Sequence, residues 1–311
     1  MAKKKDEVVE RGAEVTSEGN RAINKFRVSD AIMMAIVTIL CLTCILPFIH
    51  LAAKSVSADH FVVGKQVTFW PKGFTLAAYE SIFKDGSLVY SMGYSVVVTL
   101  IFTLLGMVVC TCAAYPLSKK RLKGKTVFTF LLMFPMYFGA GLIPSYLLFN
   151  DLGLLDTMWV LILPLIYSPY NMLIMKTNLQ SSIPDSLEES AFLDGATNFQ
   201  ILFKIVLPLS KPVLATLSLF YAVGRWNTYA DNKYYLLKRH DLKMIQYRLS
   251  QMVSSAANAQ TESLSEAAAV TSTPEVLQAA AIMFVTIPII CVYPFLQKYF
   301  VKGVMVGAVK G

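Results

Sequence analysis

The chain has 311 residues, of which 55% are hydrophobic and 15% charged, against about a quarter charged in soluble domains; its apolar runs reach the roughly 20 residues that cross a bilayer, so a water-soluble domain is excluded and an all-α integral membrane protein is expected. The formal net charge of +8 reads as membrane topology and not as nucleic-acid binding, because the basic runs Lys3 to Lys5 and Lys119 to Lys125 carry neither interleaved aromatics nor a nucleic-acid motif. The five cysteines, including Cys41 with Cys44 and Cys110 with Cys112, lie in or beside apolar runs as small packing groups, and His50, His60 and His240 lack metal-ligand spacing.

Residues 1–30 read as a cytoplasmic amino-terminal tail without the apolar core of a cleaved signal peptide. Residues 31–90 hold the first span and an outer loop. Six transmembrane helices are predicted: Ala31 to Ala53, Met92 to Leu117, Val127 to Phe149, Met158 to Met175, Pro212 to Tyr229 and Val276 to Leu296. The amino tail carries seven Lys and Arg, and the loop Lys119 to Lys125 carries five. Such residues concentrate on the cytoplasmic side, so both termini and the loop at 185–212 are expected there. The outer loop Lys54 to Ser91 contains FWPKGFTLAAYESIF, which predicts a short surface helix. The second outer loop, 231–275, is polar, and loops of that length are often functional. Residues 298–311 are expected as a cytoplasmic tail. Pro47, Pro135, Pro144, Pro164, Pro169 and Pro288 fall within spans, where proline kinks a helix.

Between the fourth and fifth spans stands EESAFLDGATNFQILFKIVLPLSKP, from Glu188 to Pro212. Asp185 is positioned as an N-cap and Glu188 as its capping-box partner, predicting a helix from Ser186 to Asp194. Gly195 permits the left-handed turn that ends it. Thr197 or Asn198 caps a second helix whose apolar face is Phe199, Leu202, Phe203 and Val206. Pro208 and Pro212 return the chain to the bilayer. The expectation is a helix–turn–helix with Glu188, Glu189 and Asp194 facing outward.

The spacing Glu189-Ser190-Ala191, three residues, Gly195, nine residues, then Ile205-Val206-Leu207-Pro208 resembles the EAA loop of ABC-importer permeases, with Asp194-Gly195-Ala196 at its D-G-A centre and Ser190 where alanine is usual. The leading span, FTLAAYESIF and the ending GVMVGAVKG are similar to the MalG-type permeases of carbohydrate importers, in the branch for complex oligosaccharides. The resemblance implies a type I permease core over residues 91–297, in a prokaryotic plasma membrane. It implies that the loop is a coupling helix: Glu189 meets a basic group of an ATPase, Gly195 turns the chain, Ala191 and Ala196 allow close approach, and Ile205, Leu207 and Pro208 anchor it. The implied partners are a second permease subunit, two ATP-binding cassette subunits and an extracytoplasmic sugar-binding protein. ATP and its magnesium ion are hydrolysed by the partners, since this chain has no G-x4-G-K-[ST] loop and no cofactor or catalytic residue is expected. Arg225, Trp226 and Asn227, with the loop after them, are expected near the binding protein, and the carboxyl tail near the ATPase. Tyr137, Phe138, Tyr167 and Tyr170 are candidates for stacking on sugar rings.

Two other readings use the same chain. A self-contained secondary transporter or channel needs membrane-embedded charges for ion coupling, and the spans are nearly free of them. A membrane enzyme needs a nucleophile or metal constellation, and none is visible. Within the family, a permease for an amino acid or an ion usually has five spans.

Overall fold

A computed structural model describes residues 28–262 and 273–308 of the chain. The described residues are helical with no strand, apart from one isolated bridge between Ser57 and Phe74. Most of the amino-terminal tail and residues 263–272 of the second outer loop lie outside the described residues.

Three helices are long and apolar enough to cross a membrane: α1 (Val28–Ser55), α4 (Ser87–Ser118) and the first part of α13 (Pro274–Ala308). Between α1 and α4 lie the short α2 (Asp59–Val63) and α3 (Ala77–Asp85). The third is the surface helix predicted from FTLAAYESIF, closed by Gly86 in the left-handed conformation. The predicted third span is instead a bent pair, α5 (Lys125–Tyr137) and α6 (Leu142–Asp151), meeting at 113°. Its break falls at Phe138-Gly139-Ala140-Gly141, where Gly141 takes φ +87°, a backbone conformation that side chains resist.

The predicted fourth span, Met158 to Met175, is not one helix. A 3-10 turn at Met158–Leu161 gives way to irregular chain, and α7 (Pro169–Ser182) starts afresh under a Ser168 cap. Pro164 and Pro169 lack the backbone donors that a continuous helix needs, whereas Pro169 suits a first turn. The knuckle follows as α8 (Asp185–Leu193) and α9 (Asn198–Leu209); α9 meets α10 (Lys211–Asn227) at 83°. After the short α11 (Ala230–Tyr235) comes α12 (Ile245–Glu262). By length and composition, the described residues give up to five spans when each bent pair is counted as one. The last helix continues through Ala308, so residues 298–308, expected as a tail, extend α13.

The core forms around α4. Val98, Phe102, Cys110, Ala114 and Leu117 pack with Met172, Met175 and Leu179 of α7 and with Val213, Leu217 and Tyr221 of α10. Gly106 makes this approach possible: a Cβ there would stand 2.7 Å from Tyr221 Cε1. Gly106→Ala is therefore expected to destabilise the protein by about 1–3 kcal/mol through overpacking, seen as a lower midpoint of thermal unfolding in detergent.

A second core closes the end where α4 begins. Ala53, Val62, Ala78, Ile82, Ile245, Val276 and Ala280 pack together. Lys54 Nζ reaches Glu275 Oε2 at 3.3 Å, and Asp59 Oδ2 accepts from Thr273 N at 3.0 Å. The end of α1 thus meets the start of α13, and the two run antiparallel. The helices α1, α5 and α6 expose Ile36, Leu40, Phe130, Leu131, Ile143 and Leu147, apolar side chains that suit hydrocarbon and not water.

Candidate functional site

The knuckle sits where α4 ends. Pro184 occupies the N-cap of α8 in extended conformation, and no side chain caps the helix. This moves Asp185 from the expected N-cap into the first turn, where an acid still favours the helix dipole. There Asp185 Oδ2 accepts from Lys120 Nζ at 2.8 Å, and this hydrogen bond and charge hold its carboxyl below the ordinary carboxylate range.

Glu188 corrects the sequence reading more sharply. It belongs to no capping box and does not face outward; it is buried and pairs with Lys119. The helix turns Glu188 toward the end of α4, whereas its neighbours Glu189 and Ser190 are exposed. The Ser190 hydroxyl donates to Ser186 O at 2.9 Å, so the departure from alanine is absorbed by its own helix.

The turn forms as predicted. Gly195 has φ +81°. Ala196 N donates to Ala191 O at 2.9 Å and Gly195 N to Phe192 O at 3.0 Å, the paired bonds of a Schellman ending. Thr197 then starts α9 with a reciprocal cap: Gln200 N donates to Thr197 Oγ1 at 3.3 Å and Thr197 N to Gln200 Oε1 at 2.8 Å. The knuckle is therefore closed at its bend from both sides.

The apolar face of α9 differs from the expected one. Leu202 and Val206 are buried, joined by Ile201, but Phe199 and Phe203 are 74% and 63% exposed. The cause is a π-helical turn over Leu202–Val206, which places residues five apart, Ile201 and Val206, on one face. Of the expected anchor residues, Ile205 and Leu207 are half-buried and Pro208 is exposed. The two helices expose Leu193, Phe199 and Phe203, and between them lies a shallow depression of about 400 Å³ lined by Ala191, Asp194, Gly195, Ala196 and Lys204 among others. Asp194 is exposed and Ala191 and Ala196 are half-buried. Such a surface, apolar knobs beside acids and a small-residue hollow, can receive a protein partner.

Sequence reading treated Lys119, Lys120 and Arg121 as topological charge alone. Arg121 Nη2 donates to Asn198 Oδ1 at 2.5 Å, and its guanidinium lies 4.4 Å from the Phe192 ring centroid. The available signal was the opposite charge of Asp185 and Glu188 in another loop on the same predicted side.

At the far end, Arg225 does not present itself to a partner. It is 2% exposed, and its Nη1 donates to Leu161 O at 2.7 Å and to Asp231 Oδ2 at 2.8 Å. It therefore ties α10 to the 3-10 turn and to α11. Trp226 is half-buried against the second core, and Asn227 ends α10 exposed. Tyr137 and Tyr170 are exposed, Tyr167 is half-buried with its hydroxyl on Leu132 O at 2.8 Å, and Phe138 stacks on Phe134. Among the described residues, no group of three His, Cys, Asp or Glu could hold a metal ion.

The sequence profile of the binding-protein-dependent transport system inner membrane component matches residues 113–306. The chain is 42% identical over 288 residues to the polygalacturonan/rhamnogalacturonan transport system permease protein YtcP of Bacillus subtilis (strain 168), covering 92% of this chain and 100% of that one. It is 38% identical to protein LplC of the same organism, covering 86% and 90% of the two chains. Among solved structures it is similar to a chain of a bacterial ABC transporter involved in the import of the acidic polysaccharide alginate, with a TM-score of 0.76 and 32% identity over 88% of this chain and 99% of that one. The apolar helices, the bend-capped knuckle and these similarities together make the chain a multi-pass inner-membrane protein of the binding-protein-dependent transport family, a permease of the ABC type.

Proposed function

We propose that this chain is the permease subunit of an ATP-driven importer for an oligosaccharide, and that the knuckle couples ATPase closure to alternating access. The knuckle itself carries this reading: two short helices, locked at their bend by a Schellman ending and a capping box, offer Leu193, Phe199, Phe203 and Glu189 to a partner. A lever must be stiff, since a loose loop would absorb the motion it should transmit. Glu189 meets a basic group on the ATPase and sets orientation; Ser190, Ala191, Asp194, Gly195 and Ala196 form the seat; Ile205 and Leu207 join it to the membrane body.

The partners in this reading are a second permease, two ATP-binding cassette subunits and an extracytoplasmic sugar-binding protein that approaches Trp226, Asn227 and the loop 231–275. Both termini and the knuckle are cytoplasmic, following the Lys and Arg distribution. The carbohydrate reading is supported by a relative named for polygalacturonan/rhamnogalacturonan transport and by a similar chain from a transporter involved in the import of the acidic polysaccharide alginate; the solute in this reading is an acidic oligosaccharide. Tyr137, Tyr167 and Tyr170 are offered as contacts along its path.

The test is uptake into vesicles holding the complex purified through this chain, with a labelled oligogalacturonide and its binding protein outside. Accumulation is expected only with ATP inside, and the complex is expected to contain two ATPase copies. Accumulation without an ATPase, driven by a proton or sodium gradient, would establish the secondary-transporter reading instead.

A further inference from the structure

Four successive residues, the last of α4 and the three of the turn that follows it, each hold a different part of the knuckle or of the helix leading into it. Ser118 O accepts from Gln180 Nε2 at 3.4 Å. Lys119 pairs with Glu188, with side-chain exposures of 9% and 6%, and its ammonium lies 4.8 Å from the Tyr115 ring centroid. Lys120 bonds Asp185 at 2.8 Å, and Arg121 bonds Asn198 while covering Phe192. Both knuckle helices are thus fastened to one end of the same spanning helix. Loop residues need only be solvated; a buried ion pair in their midst constrains orientation far more strongly than exposed charges do.

The other end of that helix is fastened too. Ser95 Oγ accepts from Ile245 N at 2.7 Å, where the far-end helix α12 begins, and both groups are buried. From Ser87 to Ser118 the helix has 32 residues, a length of about 48 Å at 1.5 Å per residue. Helix α4 therefore joins the knuckle to the far-end loop as one continuous rod, and it packs on α7 and α10 along the way.

We propose that residues Ser118 to Arg121 form a clasp that makes the knuckle and α4 a single mechanical body, with Lys119 as the positioning residue through which displacement of the knuckle reaches the far-end loop. The inference rests on the coupling role given to the knuckle above. Lys119 touches neither solute nor nucleotide. It acts by fixing Glu188, and through Glu188 the angle of α8 against α4. Replacing the pair with apolar residues keeps the core filled but removes the directional constraint.

The decisive readout is the amount of solute delivered per ATP hydrolysed by the whole complex in vesicles. For Lys119→Met with Glu188→Met, that ratio is expected to fall about fivefold or more while binding-protein-stimulated ATP hydrolysis continues. A purely structural role would lower both together. In parallel, spin labels at exposed Ser186 and Cys112, with the other cysteines replaced, report the angle between α8 and α4. One narrow distance distribution is expected in the unsubstituted pair, with and without trapped ATP, and a broadened one in the double variant. Lys120→Ala with Arg121→Ala alters exposed side chains, leaves the fold intact, and is expected to give a smaller fall of about twofold. It decides alone if the double variant does not insert. Wild-type ratios in the variants that assemble overturn the clasp. Glu189→Lys, run alongside, separates the two levels: if it too keeps ATP-driven uptake, the coupling role of the knuckle fails, and if it loses uptake while the clasp variants keep it, the clasp alone fails.

Discussion

Glu189→Lys is expected to reduce ATP-driven uptake by about 30-fold or more without lowering the stability of the chain. Glu189 is exposed on α8, the helix that also carries Ala191 of the hollow. An exposed substitution of this kind changes folding stability by less than about 0.5 kcal/mol. At an interface, in contrast, a lost partner in a charge pair costs about 2–5 kcal/mol, and 1.4 kcal/mol is tenfold. Reversing the sign adds repulsion to the loss. Uptake into vesicles and the unfolding midpoint, measured on one preparation, separate the two quantities. Uptake within twofold of wild type would remove Glu189 from the ATPase contact.

Glu188→Ala, one residue away, is expected to behave in the opposite manner. It should destabilise the protein by about 3–5 kcal/mol, because it leaves the Lys119 ammonium buried and unpaired. Lys119→Met combined with Glu188→Met should recover most of that loss, since removing both members of a buried pair is often near neutral. The midpoint of thermal unfolding in detergent checks both statements. If Glu188→Ala unfolds like wild type, Lys119 reaches water through its flexible stem and the pair has no structural weight. Adjacent acids with such different expected consequences follow from the turn of one helix, which hides the first and displays the second.

Much of this is legible in the sequence. The cap at Thr197, the turn at Gly195 and the surface helix from FTLAAYESIF each depend on local chemistry: a hydroxyl within reach of a backbone donor, a residue without Cβ at positive φ, and helix formers closed by Gly86. Errors arose wherever a residue had a local partner and a distant one to choose from. Asp185 and Glu188 suited a capping box by spacing, but Lys120 and Lys119 took them. The position of Arg225 at the end of a span suits an outside partner, but Leu161 and Asp231 hold it inside.

Composition and apolar runs by themselves determined a helical membrane protein, and the residues around Gly195 a helix–turn–helix with a glycine bend, because those properties depend on burial, chain length and backbone conformation over a few residues; the permease reading came from the resemblance that the spacing carries. Tertiary structure alone decided which acids are buried, where the spans break and which phenylalanines face out. The Lys119–Glu188 pair joins residues 69 apart in sequence, and the π-turn in α9 rotates its apolar face by a residue. Neither leaves a periodic mark in the chain, since both are set by what the folded helices bring opposite one another.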